Sequence, residues 1–168
     1  MLKKKVEKIL IEQIEKEGYS SNLYLAMATW AEANGFPGIA QWLYAQAEEE
    51  RLHMKKFISY IGERGSHAVI PAFKQPPVEY KDVKVLFDEV LKHEQYITES
   101  ISKISGVCID EKDFVTYNWA QWFLTEQVEE EASVRTVIDK LKMLNKDNLY
   151  MFDKDIMSLR AAAASPTA

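Results

Sequence analysis

The chain is poor in the residues that cross-link a fold or interrupt its helices. Its single cysteine, Cys108, excludes an intrachain disulfide and fits a reducing compartment. No hydrophobic run approaches the roughly 18 residues of a membrane-spanning helix, and the opening MLKKKVEKIL lacks the apolar core of an export signal. Only six glycines and five prolines occur in 168 residues. We therefore expect a soluble, cytoplasmic protein, not a membrane protein, that is built from long helices.

The chain also has little clustered positive charge. Its net charge is −5 and its pI is near 5.3, with no basic cluster beyond the lysines at positions 3–5. Nucleic-acid-binding domains instead concentrate lysine and arginine on one face. We therefore expect no nucleic-acid partner, and the excess of carboxylates favours metal cations.

The glycines and prolines mark two breaks, a short one in NGFPG at 34–38 and a longer one in GERGSHAVIPAFKQPP at 62–77. Between the breaks, apolar residues recur every three or four positions, which predicts helices. The predicted helices cover residues 3–33, 38–64, 82–108, 110–145 and, as a short last helix, 148–159. We expect one domain at 1–160, followed by a flexible tail at 161–168.

The connections predict how these helices are arranged. The NGFPG turn and the single residue between the third and fourth helices leave room only for reversals. The 17 residues at 65–81 reach about 56 Å when extended, at roughly 3.3 Å per residue. The second helix is shorter, about 40 Å at 1.5 Å per residue, so this segment can cross the whole bundle. The predicted fold is all-α, an up-down-down-up four-helix bundle with one long crossover loop and a short fifth C-terminal helix.

Polar residues interrupt the buried stripe of each long helix. In the third helix, apolar residues step by four and three along the stripe, and Glu94 interrupts them. The other interruptions lie near the middle of their helices, at Glu17, at Glu50 with His53, and at Gln127 with Glu130. In a four-helix bundle these side chains meet in one layer, which is costly inside a core unless something compensates the charge.

The spacing within this layer indicates a pair of metal ions. The first two glutamates lie 33 residues apart, and the third-helix glutamate precedes the fourth-helix glutamine by the same 33 residues. Buried carboxylates with one imidazole and no thiolate suit a hard or borderline divalent cation, with iron as the natural choice. The expected ligands are Glu17, Glu50 and His53 for one ion, with Glu50 as the bridge, and Glu94 and Glu130 for the second ion.

The two helix pairs are not equivalent. The second pair has glutamine and glutamate, QxxE, where the first pair has ExxH. Fewer strong ligands predict a second ion that binds more weakly and leaves more readily. This asymmetry favours a device that oxidises iron and passes it on over an enzyme that retains both ions. Carboxylates beside the layer predict a third, looser site, formed by Glu49, Glu126, Glu129 and Glu130.

The non-haem bacterial ferritins have segments similar to EKEGYSSNLYLAMATW, AEEERLHMKKF, KHEQYITESI and WFLTEQVEEEASVRTVIDKL, and the similarity covers about residues 3–160. The resemblance implies a ferritin-like bundle that assembles as a homo-oligomeric shell of 24 chains. It also implies a ferroxidase that oxidises Fe(II) with O₂ or H₂O₂ and stores ferric oxyhydroxide inside the shell. The family's three iron sites fall on the residues already named, with Gln127 close to the second site.

The resemblance also implies roles for single residues. Tyr24 matches a tyrosine that is proposed to hydrogen-bond ligands or to supply an electron, and Trp122 is a weaker match of that kind. The residues expected to act in catalysis are Tyr24, Glu50 and His53. Haem-binding relatives carry methionine directly after the bridging glutamate, where this chain has Arg51, so no haem is expected. Gly18 replaces a larger residue of similar proteins, and we expect looser packing beside the first site.

Three other interpretations remain open at this point. Any single glutamate of the layer can instead reach solvent, and the runs at 48–50 and 129–131 can be solvated faces. A soluble di-iron oxidase or peroxidase of the rubrerythrin type would use the same ligands, although no cysteine-rich segment is present. A metal-free helical adaptor would not be stabilised by Fe(II) or Zn(II), whereas a ligand site would be, by mass action.

Overall fold

The structure, a computed structural model, describes residues 2–144 and 148–163, and this part of the chain forms five helices. They are α1 (Lys4–Ala33), α2 (Pro37–Glu63), α3 (Val83–Asp110), α4 (Phe114–Met143) and α5 (Leu149–Ala163). The predicted all-α chain with a short fifth helix is confirmed. The helix end predicted at 145 and residues 164–168 of the predicted tail lie outside the described residues. No helix in the described ranges is long and apolar enough to cross a membrane.

The turn between α3 and α4 differs from the prediction of a single residue at 109. The α3 helix continues to Asp110, and the reversal occupies residues 111–113. Lys112 adopts a φ of 55°, which ends the right-handed helix. The Asp113 side chain then accepts a hydrogen bond from the Thr116 backbone N–H at 3.1 Å. This N-cap starts α4 at Phe114.

Contacts between helices establish the predicted topology. Along α1, Gln13 accepts from Ser100 of α3 and Ser20 contacts His93, so these two helices are antiparallel. The α2 helix is also antiparallel to α1, across the turn at 34–36. The α2 and α3 helices are therefore parallel, and the segment at 64–82 crosses the bundle between them. The up-down-down-up arrangement with one crossover is confirmed.

The core is divided by the polar layer. One apolar cluster surrounds Trp42 and Phe87, and the other surrounds Phe57 and Phe123. On every long helix the polar interruption lies between residues of the two clusters. The layer therefore lies between two hydrophobic clusters, which keep bulk water away from its carboxylates.

Helix α5 is joined to the start of α2. The N-cap residue of α2, Phe36, makes no side-chain capping hydrogen bond, and the Asp153 carboxylate of α5 caps the helix in its place. It accepts hydrogen bonds from the backbone N–H groups of Gly38 at 3.1 Å and Ile39 at 2.8 Å. A Cβ atom at Gly38 would lie 1.8 Å from the Asp153 carbonyl oxygen, so only glycine permits this approach.

Gly18 serves the crossover segment. A Cβ atom at this position would lie 2.4 Å from two ring atoms of Phe73 and 3.1 Å from the Met54 sulfur. The space beside Gly18 is thus filled by the crossover segment and by α2. The expectation of looser packing there is wrong, because the aromatic ring occupies the volume that a side chain of residue 18 would need.

Candidate metal centre

The first group of predicted ligands comes together from α1 and α2. Glu17, Glu50 and His53 each offer one ligand atom, and these atoms all lie within 4.8 Å of one another. The i, i+3 spacing places Glu50 and His53 on one side of a single helical turn, with His53 Nδ1 3.7 Å from Glu50 Oε2. All three side chains are buried. Among the described residues, no other group of three or more acidic, histidine or cysteine side chains is as closely spaced.

Three of the four carboxylate oxygens of Glu17 and Glu50 lack hydrogen-bond partners in the described part of the chain. They are Glu17 Oε2 and both oxygens of Glu50. Burial, followed by the neighbouring Glu50 charge, raises the pKa of Glu17 well above its ordinary value. Burial, followed by the charge of Glu94, raises the pKa of Glu50 in the same direction. Acceptors this deeply buried need a cation or a proton, and their chemistry fits a divalent metal ion with oxygen and nitrogen ligands.

The second group has the same burial but different partners. Glu94 of α3 accepts a hydrogen bond from the Tyr24 hydroxyl at one oxygen and from Gln127 Nε2 at the other, the latter at 3.0 Å. Glu130 of α4 accepts from Gln46 Nε2 at 2.8 Å. Burial, followed by the charge of Glu94, raises the pKa of Glu130 to about 8. The second group therefore lies in the same layer, but protein donors already bind both oxygens of Glu94 and one oxygen of Glu130.

The two candidate redox residues lie on different sides of the layer. Tyr24 is fully buried, and burial followed by the Glu94 charge raises its pKa well above the ordinary value. Trp122 is 42% exposed, and its ring meets the His53 ring edge-on, with centroids 5.6 Å apart. Tyr24 thus contacts a predicted ligand of the second ion, and Trp122 contacts a predicted ligand of the first. Their roles in electron transfer stay predictions.

Two glutamines contact the layer and were not predicted to do so. Gln13 donates a hydrogen bond to Glu17 Oε1 at 2.8 Å, and Gln46 holds Glu130. Each glutamine lies four residues before a glutamate on the buried stripe, Glu17 or Glu50. That spacing places both glutamines on the inner face one turn away. The repeated Q-x-x-x-E pattern was a usable signal, because a buried amide needs a buried polar partner.

The outer carboxylates predicted as a third site line one open cavity of about 160 Å³, whose wall is formed by Gln46, Glu49, Glu126, Glu129, Glu130, Ser133 and Arg160. The structure thus brings the four glutamates to one cavity, and their role as a third iron site stays a prediction. The guanidinium of Arg160, which comes from α5, was not foreseen there. It forms an ion pair with Glu49. The site thus combines four carboxylates with one cationic side chain.

The four-helix bundle with its crossover and its buried carboxylate layer defines a ferritin-like protein. The ferritin-like domain, as a family, matches residues 7–144. A probable bacterial non-haem ferritin-like protein of Haemophilus influenzae is 41% identical over 165 residues, which are 97% of this chain and 100% of that protein. The bacterial non-haem ferritin of Campylobacter jejuni is 40% identical and covers 95% of this chain and 96% of its own length.

Solved structures agree with the sequence relatives. An open pore ferritin from the archaeon Archaeoglobus fulgidus superposes with a TM-score of 0.90 at 36% identity, over 92% of this chain and 96% of that chain. The fold, the buried carboxylate layer and the sequence similarity thus all indicate the same protein family. The chain belongs to the ferritin family, among relatives named bacterial non-haem ferritins.

Proposed function

We propose that this protein is an iron-storage ferritin. In this proposal each chain oxidises Fe(II) at a pair of iron positions, and a cytoplasmic shell of 24 chains stores the ferric oxyhydroxide product. The observation that carries the proposal is the pairing of unpartnered, fully buried carboxylate oxygens of Glu17 and Glu50 with His53. Burying such a group in an apolar core is energetically costly unless a cation binds to it.

Each helix pair would bind one Fe(II) ion as substrate. Glu17, Glu50 and His53 would hold the first ion, and Glu94 with Glu130 the second, with Glu50 between the two positions. Two Fe(II) ions give up two electrons, which reduce O₂ with two protons to H₂O₂, or reduce H₂O₂ with two protons to water. The surrounding apolar clusters exclude bulk water, and Tyr24 and Gln127 hold Glu94 in place by hydrogen bonds. The outer carboxylates would form a third, looser position that iron crosses on its way to storage.

The absence of haem from this proposal rests on Arg51. This residue follows Glu50 and is exposed, with its guanidinium directed toward Glu48 at 3.9 Å. Arginine has no sulfur atom, so this position cannot supply the methionine ligand that haem-binding relatives carry there. Iron and its oxidant are the only small partners that the proposal requires.

Iron loading followed by gel filtration tests the storage function. A large excess of Fe(II) is added to the iron-free protein in air, and iron and protein are assayed across the elution. We expect ferric iron, far beyond the ligand sites of one chain, to elute with a particle many times the 19.4 kDa of the chain. A small oligomer with only two or three irons per chain would contradict storage and would indicate a di-iron oxidase of the rubrerythrin type.

Replacement of two ligands tests the oxidation site. We expect Glu50→Ala and His53→Ala to slow the fast phase of Fe(II) oxidation severely while the helices stay folded. Glu48→Ala is the matched control, because Glu48 lies on the same helix but is exposed. Unchanged oxidation in both ligand variants would refute the assignment of the site.

A further inference from the structure

Arg160 is the cationic side chain that α5 contributes to the outer cavity. Its guanidinium forms an ion pair with Glu49 and donates a hydrogen bond to Gln46 Oε1. It also lies over the Trp42 ring, 6.0 Å from the centroid. The Arg160 side chain is 19% exposed, against 55% for Arg51, whose ion pair with Glu48 lies on the surface. The contacts of Arg160 are thus more protected from solvent than an ordinary surface ion pair.

The docking of α5 determines this position. Asp153 fixes the helix against the first turn of α2, and Ile156 is fully buried on the same face. Arg160 lies seven residues after Asp153, about two helical turns, and therefore points to the same side. Helix α5 runs beside α2 in the same direction, so Arg160 reaches the level of Gln46 and Glu49.

Arg160 places its positive charge at the cavity that the outer carboxylates line. Glu49, Glu126, Glu129 and Glu130 surround this one cavity, and their mutual repulsion favours any positive charge between them. We propose that Arg160 is an internal counter-cation that competes with iron for these carboxylates. Iron then crosses the outer cluster on its way to storage but does not reside there. This inference rests on the proposed function, because it assigns a competitor to that function's third iron site.

Arg160 also controls the orientation of Gln46. A guanidinium can only donate hydrogen bonds, so the Gln46 oxygen must face it. The amide nitrogen is then turned toward Glu130 Oε2, to which it donates at 2.8 Å. Arg160 is therefore a positioning residue for a predicted ligand of the second ion, and acts on that ligand through Gln46.

Counting bound Zn(II) tests the competition. Zn(II) is redox-silent, so the count does not depend on iron oxidation. The iron-free, assembled protein and its Arg160→Gln variant are dialysed to equilibrium against Zn(II), and Zn(II) per chain is measured. We expect two ions per chain in the parent protein and three in Arg160→Gln. We expect Arg160→Lys, which keeps the charge, to bind the same number as the parent.

Two further variants identify where the additional ion binds. In Glu49→Gln/Arg160→Gln, the additional Zn(II) should be lost again, because a carboxylate of the outer cluster is missing. Arg51→Gln is the matched control: it removes the same charge from an exposed position on α2 and should not change the count. Retention of the two inner ions in every variant shows that the bundle is folded.

Equal counts in the parent and Arg160→Gln would overturn the competition. A third ion that persists in the double variant would overturn it as well, since that ion would bind elsewhere. A parent protein that binds no Zn(II) at all would refute the proposed function itself, and the inference with it. These outcomes are distinguishable, because the first two leave the inner pair of ions intact.

Discussion

The two halves of the buried layer differ in how their carboxylates are satisfied. In the α1/α2 half, Glu50 has no hydrogen-bond partner at either oxygen within the described residues. In the α3/α4 half, Glu94 accepts a hydrogen bond at each oxygen, from Tyr24 and from Gln127. The Glu50 carboxylate is therefore costly to keep ionised without a cation, whereas hydrogen-bond donors of the protein partly compensate the charge of Glu94. The same layer thus combines a site that is prepared for metal with a site that is occupied by protein donors.

This difference adds a second cause to the asymmetry that the sequence predicts. The missing histidine weakens the second position through the ligand set. The hydrogen bonds to Glu94 weaken it further, because an incoming ion must compete with donors whose bonds to a charged group contribute about 1.5–3 kcal/mol each. The two causes act in the same direction, so the second ion is expected to be the one that is released.

The largest expected effect comes from removing one ligand in each half. We expect Glu17→Ala to lower the affinity for the first Zn(II) by at least about 100-fold, since loss of a mere supporting residue already costs 10–100-fold at metal sites. Glu94→Ala should leave the first affinity nearly unchanged and lower only the second. Isothermal titration of the iron-free protein measures both. Equal losses of the first affinity in the two variants would show that the halves are not distinct.

The next effect is the pH dependence of the metal-free protein. Burial, followed by the charge of Glu94, raises the pKa of Glu130 from 4.5 to about 8. Between these two pH values, Glu130 is protonated in the folded chain and ionised in the unfolded chain. Unfolding then releases protons, so stability should fall as pH rises from its ordinary pKa of 4.5 toward 8. Burial lowers the pKa of His93 to about 4, which opposes this trend below its ordinary 6.5. The clean window is therefore pH 6.5 to 8.

Thermal unfolding in the presence of a chelator measures this dependence. The melting temperature should decrease across that window, because the free energy of unfolding falls by about 1.4 kcal/mol per pH unit for each proton released. Glu17→Gln should reduce the slope, because burial, followed by the Glu50 charge, also raises the pKa of Glu17. Saturating Zn(II) should abolish it. A melting temperature that rises with pH in the chelated protein would contradict the assignment of buried, proton-binding carboxyls.

A smaller effect is expected where α5 meets α2. Gly38→Ala places a methyl group against the Asp153 backbone, which cannot move without displacing α5. We expect a loss of about 1–3 kcal/mol in unfolding free energy, as for other overpacked sites. Gly62→Ala is the matched control in the same helix, because a Cβ atom there meets no neighbour within 4 Å. It should stabilise the protein by up to about 1 kcal/mol.

Gly38→Ala also sharpens the comparison of the halves, because the hydrogen bonds of Arg160 and Gln46 connect α5 to Glu130, a predicted ligand of the second ion. The affinity for the first Zn(II) should therefore not change, whereas the outer cluster should gain an ion, as in Arg160→Gln. Denaturant unfolding and the Zn(II) count are the two measurements. Loss of the first ion would mean that α5 supports the whole layer.

Much of the fold could be predicted because its signals are local. The three-and-four spacing places Glu17, Glu50 and Glu94 on buried stripes, and the lengths of the connections determine which helices are parallel. The predicted α3/α4 turn begins two residues before the observed one, because the positive φ of Lys112 and the cap formed by Asp113 leave no periodic pattern in the sequence.

The partners of the ligands could not be predicted in the same way. The hydrogen bond from Tyr24 to Glu94 joins residues 70 apart, and Arg160 reaches Gln46 across 114 positions. Such contacts depend on the exact rotation of each helix and on the docking of α5. The sequence therefore identifies the residues of the layer, but not which of their oxygens are free.

The smallest and most discriminating effect is expected for Tyr24→Phe. This change deletes the hydroxyl that donates to Glu94 and leaves that oxygen unpartnered, as the oxygens of Glu50 are. If the donor competes with metal, affinity for the second Zn(II) should rise by about 10-fold, which corresponds to about 1.5 kcal/mol, the lower end of the range for such a hydrogen bond. Isothermal titration measures this value, and the first affinity is the internal control. A decrease would mean that Tyr24 orients Glu94 for the ion, so that the second half would also be prepared for metal.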